Sequence, residues 1–69
     1  MERTITVNGE ARPWKAQTVG ELLAADGLAA AAGGIAVARN AEVVPRAEWD
    51  RVRIEPDDRI EIVHIVRGG

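Results

Sequence analysis

The chain has 69 residues, enough for one small domain that buries only about 60% of the surface its unfolded form exposes. Its net charge is −2, and basic and acidic residues are interspersed, so no basic stripe points to nucleic acid. Cysteine is absent, which excludes disulfides, thiolate metal sites and a cysteine nucleophile. The polar start Met1-Glu2-Arg3-Thr4 lacks the features of a signal peptide. The longest apolar run, Leu28 to Ala38, is mostly Ala and Gly and falls short of the ~20 residues a membrane helix needs. A soluble, cytoplasmic protein without a membrane partner is expected.

Thr4-Ile5-Thr6-Val7 alternates polar and apolar residues and is β-branched throughout, which predicts a strand with Ile5 and Val7 inward. Asn8-Gly9 is a strong hairpin signal, because both residues tolerate positive φ. A second strand follows from Glu10 to about Trp14. Pro13 confines it to a sheet edge, since proline cannot donate a ladder hydrogen bond. Thr18-Val19-Gly20-Glu21 reads as a capping box, with the Thr18 hydroxyl accepting from the Glu21 amide and Glu21 reaching back to the Thr18 amide. Val19, Leu22 and Leu23 share one helical face, and Gly27 sits where a left-handed cap belongs. One helix over Val19 to Asp26 is predicted, and the Ala29 to Ala32 run either adds a turn or does not.

Gly34 to Arg39 reads as a strand, Asn40-Ala41 as a turn, and Glu42-Val43-Val44 as a short strand stopped by Pro45. Pro45 to Trp49 reads as a connecting turn of 3₁₀ type, and Val52 to Ile54 as extended chain. Glu55-Pro56-Asp57-Asp58 has turn chemistry. Arg59 to Val66 is the last strand. The order of hairpin, helix and returning strands predicts an α+β fold: a mixed sheet of four to five strands with one main helix on one face. The last strand lies inside the sheet if it pairs parallel to the first. The domain spans residues 1–66, and 67–69 form a flexible C-terminal tail.

The tail ends in Gly68-Gly69, a pairing expected by chance in roughly 1 chain in 200 from glycine usage. A carboxylate must be activated before it joins a sulfur or nitrogen nucleophile, and the activating enzyme must thread the chain end into a narrow site. Glycine lacks a Cβ, so its backbone approaches closely and adopts any φ.

These segments together carry a resemblance. Ile5-Thr6-Val7-Asn8-Gly9-Glu10, Thr18-Val19-Gly20-Glu21-Leu22-Leu23, Gly34 to Asn40, Val43-Val44-Pro45-Arg46 with Trp49, Asp58 to Val63, and Gly68-Gly69 match, in order, the ThiS-type sulfur carriers of thiamin biosynthesis. The resemblance implies the ubiquitin-like β-grasp fold. Only Ala41 departs from the family pattern, standing where glycine or a polar residue is usual.

The resemblance also implies the chemistry. A ThiF-type adenylyltransferase uses ATP and Mg to adenylate the Gly69 carboxylate. A sulfurtransferase or cysteine desulfurase system then replaces one oxygen with sulfur, and a thiazole synthase takes that sulfur. Gly69 carries the atom and Gly68 gives clearance. No cofactor is bound by this chain, no catalytic residue or metal ligand is assigned to it, and any zinc would belong to a partner. The chain is a recycled co-substrate and not an enzyme.

Parity along the last strand puts Ile60 and Ile62 inward and Glu61, Val63 and Ile65 outward. Val63 and Ile65, with Val66 and Arg67 beside the tail, either dock a partner or are covered by local packing. The resemblance favours docking. Val37 joins this patch if Arg39, of the same parity, marks the outward side; otherwise Ala36 and Ala38 mark it. His64 reads as structural, Asp57-Asp58 as turn chemistry, and Trp14 and Trp49 as packing residues. Lys15 is the only lysine, which disfavours a chain-building modifier. The alternatives are a carrier for molybdopterin, cysteine or natural-product sulfur insertion, a ubiquitin-like modifier, and a noncovalent binding module with an incidental tail.

Overall fold

The computed structural model describes residues 2–28 and 33–65. The Ala29 to Ala32 run, Val66 and the 67–69 tail lie outside them. Five strands form one sheet: β1 (Thr4–Val7), β2 (Glu10–Pro13), β3 (Ile35–Arg39), β4 (Glu42–Val44) and β5 (Arg59–His64). Their order is β2-β1-β5-β3-β4, so the last strand is central, as its apolar character predicts. β5 runs parallel to β1 and antiparallel to β3, which makes the sheet mixed. β2 lies at an edge, where Pro13 is tolerated.

Two-residue turns close both hairpins. Asn8 and Gly9 have φ of 51° and 84°, and Asn40 and Ala41 have φ of 51° and 70°. Positive φ at both central residues is the type I′ pattern, whose twist matches that of the strands. Asn8, Gly9 and Asn40 suit it, but Ala41 carries a Cβ into the left-handed region.

The helix α1 (Val19–Ala25) is capped at both ends. Thr18 Oγ1 accepts from the Glu21 amide at 3.1 Å. Glu21 Oε1 accepts from the Gln17 amide at 2.8 Å, one residue earlier than the capping box predicts. At the C-terminus, Leu28 N–H donates to Leu23 O and Gly27 N–H to Ala24 O, the paired bonds of a Schellman motif, with Gly27 at φ 73°. Val19, Leu22 and Leu23 are buried against one sheet face, joined by Ile5, Val7, Ile35, Val37, Val44, Ile60 and Ile62 from the strands. The connection from β4 to β5 closes the core with Trp49 and Ile54. Its 3₁₀ turn covers Arg46–Glu48, as Pro45 predicts. Both indoles donate to backbone carbonyls, Trp49 Nε1 to Val44 O (2.9 Å) and Trp14 Nε1 to Ile54 O (2.8 Å), so neither buries an orphan donor.

Among the described residues one charged side chain is buried. Asp58, 6% exposed, ends the Pro56-Asp57 turn and starts β5. Its Oδ2 accepts from Arg39 Nε at 2.5 Å and from the Glu55 amide at 2.8 Å, and its Oδ1 accepts from Asn40 Nδ2 at 3.0 Å. Burial alone would raise the pKa of this carboxyl. The hydrogen bonds from Glu55, Arg39 and Asn40, with the charge of Arg39, outweigh that and hold it below its ordinary value.

Ala41→Gly relieves a left-handed strain of roughly 1–2 kcal/mol and costs about 0.5–1 kcal/mol in unfolded-chain entropy. The net expectation is a gain of about 0.5–1 kcal/mol, read as a thermal midpoint raised by about 2–8 °C; a lowered midpoint would contradict it. Because the folded state holds Asp58 ionised below its unfolded pKa of about 4, its contribution is complete above that pH and drains away as pH falls through the depressed folded value. Urea midpoints measured from pH 6 to pH 2 should therefore fall less steeply for Asp58→Asn than for the parent chain.

Candidate functional site

With α1 and the core on one side, the other side of the sheet carries no layer among the described residues. Alternation along each strand decides what it presents. From β5 come Arg59, Glu61 and Val63, from β3 Ala36 and Ala38, and from β4 Val43. The register joins them: Ala38 lies between Val43 and Glu61, and Ala36 beside Val63. Val43 is 72% exposed, Val63 59% and Ile65 47%. The small alanines form the floor of a shallow depression of about 150 Å³, bounded by Val43, Glu61 and Val63. The result is an apolar strip with one carboxylate, at the end of the sheet where the chain leaves β5.

Val63 and Ile65 thus stand where parity along β5 places them. Val37 does not: it is 1% exposed and belongs to the core, so it is not part of the outward patch. Ala36 and Ala38 mark the outer side. Arg39 misleads because its charge is not solvated on the outer face. It sits on the core side at the very end of β3 and turns to the buried Asp58. Val66, Arg67, Gly68 and Gly69 lie outside the described residues.

Val43 is the residue that sequence reasoning missed. In Val43-Val44 one valine must face outward, but only the pairing Val37↔Val44 shows which. Asn8 was read for its turn alone, yet its side chain also holds β5. Its Oδ1 accepts from Ile62 N–H at 2.8 Å and its Nδ2 donates to Ile62 O at 3.2 Å.

No group of three or more metal-ligating side chains occurs among the described residues. His64 is exposed on β5. A depression of about 520 Å³ between Glu2–Thr4 and Pro56–Asp57 lies beside the start of β5, at the far end from His64, and gathers no nucleophile and base. No helix of the described residues is long and apolar enough to cross a membrane.

Three comparisons bear on this arrangement. The ThiS family model matches residues 5–69. The crystal structure of a thiamine biosynthesis protein (ThiS) from Geobacter metallireducens superposes with a TM-score of 0.81 at 30% identity, covering 96% of this chain and 99% of that one. Two proteins named thiazole synthase are similar over 65 residues, at 34% identity in Paramagnetospirillum magneticum and 42% in Magnetococcus marinus. Each match takes in 94% of this chain but only 20% of the relative, so the chain spans about a fifth of their length. With a match running from the first strand to the last residue and the same fold in a ThiS protein, the chain belongs to the ThiS family of β-grasp sulfur carriers.

Proposed function

We propose that this chain carries sulfur as a thiocarboxylate at Gly69 for thiazole formation in thiamin biosynthesis. The observation that supports it most is the family match continuing through Gly69, on a domain whose central strand ends at His64 beside an exposed apolar strip. In this reading the Gly69 carboxylate attacks the α-phosphorus of ATP on a ThiF-type adenylyltransferase, and pyrophosphate leaves. The terminal sulfur of a persulfide on a sulfurtransferase or cysteine desulfurase then attacks the acyl-adenylate and AMP leaves; a thiol reductant cleaves the resulting acyl disulfide, releasing the thiocarboxylate and the partner's thiol. ATP and Mg belong to the activating partner. A thiazole synthase takes the sulfur and returns the carboxylate, so the chain is a co-substrate. The similarity of this chain to a stretch of two thiazole synthases supports that acceptor.

The domain's part is presentation. The strip of Val43, Ala36, Ala38, Val63 and Ile65 docks the partner, and Gly68-Gly69 reaches into its site. Docking needs no pocket in this chain, which suits a domain whose interior is filled by its own side chains.

Intact mass spectrometry after incubation with the adenylyltransferase, ATP and a sulfur donor should show one oxygen replaced by sulfur. Removal of Gly69 should abolish that product without changing the thermal midpoint, and an unchanged product would end the proposal. Val43→Asp places a charge on the apolar strip at a site that is mostly exposed. It should weaken partner binding by at least tenfold, about 1.4 kcal/mol, while shifting stability by no more than about 0.5 kcal/mol.

A further inference from the structure

Strand β5 changes its neighbours along its length. Its odd-numbered residues turn their backbone groups to β3: Arg59 O accepts from Asn40 N–H at 2.7 Å, and Ile65 N–H donates to Gly34 O at 2.7 Å. Its even-numbered residues turn theirs to β1, as alternation in a ladder requires. There, Ile60 O accepts from Asn8 N–H at 2.9 Å. β1 then leaves the sheet through the Asn8-Gly9 turn. The Asn8 carboxamide takes the place of the next strand residue and bonds both the N–H and the C=O of Ile62.

His64 is the next even residue. By the same alternation its N–H and C=O face the side that β1 has vacated, and among the described residues neither has a hydrogen-bond partner. The residue is exposed, as are Asn8 and Gly9. The sheet's two outer edges are guarded in ways this one is not. β2 is short and ends in Pro13, and β4 has three residues and runs into Pro45. The opening at His64 carries neither proline nor a charged side chain, and it lies five residues before Gly69.

We infer that the backbone edge of β5 at His64 receives an extended segment of the activating enzyme, which adds as a strand in the place that β1 gives up. A free N–H and C=O on one strand edge specify a peptide backbone as their complement. The segment's carbonyl accepts from His64 N–H, and one of its amides donates to His64 O. Asn8 is the positioning residue: it ends the internal pairing at Ile62 and so sets where the added strand begins. A second copy of this chain is the weaker occupant. One open residue supplies two hydrogen bonds, which by themselves do not hold an interface that must bury roughly 1,200 Å² to be stable. The partner's segment gains the adjacent apolar strip as well. This inference rests on the carrier reading for its partner.

The test is amide hydrogen exchange of the full chain, free and bound to the adenylyltransferase. His64 N–H should exchange rapidly in the free chain and slow by at least tenfold in the complex. Ile62 N–H should be protected in both. A complex in which His64 N–H exchanges as in the free chain overturns the strand addition while leaving the carrier reading intact; failure to form a complex overturns both. His64→Pro removes the donor and should weaken binding by at least tenfold. His64→Ala keeps the donor and should bind within about twofold of the parent. Equal losses in the two variants would assign the contact to the imidazole and refute the backbone pairing. If His64→Pro does not fold, the same donor is removed by N-methylating the His64 amide in synthetic protein, with the same outcomes. Exchange protection that grows with concentration of the chain alone would mark a second copy as the occupant and overturn the inference.

Discussion

The Asp58 carboxylate holds the point on which the sheet turns. It sits where the chain enters β5, and it ties the end of β3 through Arg39, the following turn through Asn40, and its own turn through the Glu55 amide. Its backbone carbonyl accepts from Thr6 N–H of β1 at 3.0 Å. One residue thus fixes the start of the central strand against both neighbours. Three hydrogen bonds to the carboxylate offset the cost of burying the charge, which unpaired would be several kcal/mol. The rest of the topology follows: once β5 lies between β1 and β3, each hairpin is forced to a flank.

That central strand is asymmetric in what it serves. Its first half has a neighbour strand on each side and two isoleucines in the core. Its second half keeps β3 on one side and, past Ile62, loses the other. The strand at the centre of the domain is therefore also the one that, among the described residues, is open on one side past Ile62. Among the described residues the one α-helix covers one face and leaves the opposite face open. That face is shallow and largely apolar, with alanines as its floor and valines standing above them.

Much of this was legible in local chemistry. Asn-Gly, the threonine cap, Gly27, Pro13 and Pro45 each act within a few residues, so hairpin, helix and edge could be placed without knowing what packs where. The inward set of β5 was legible too, because Ile60 and Ile62 flank Glu61. The error at Val37 shows the limit. Arg39 looks like a surface residue, and parity then turns the valine outward. Only the distant Asp58, nineteen positions along the chain, makes that arginine an inward-facing partner.

The sequence by itself determined the elements, the turn types, the family pattern and the glycines at the chain end, since these depend on backbone preferences and short-range order. Tertiary structure alone decided which valine of Val43-Val44 faces outward, that Val37 is core, that Asp58 is the buried anchor, and that Asn8 completes a ladder with Ile62, fifty-four positions away. The physical reason is the same in each case. Strand parity fixes two alternatives, and the choice between them belongs to the partner strand, which lies far away in sequence.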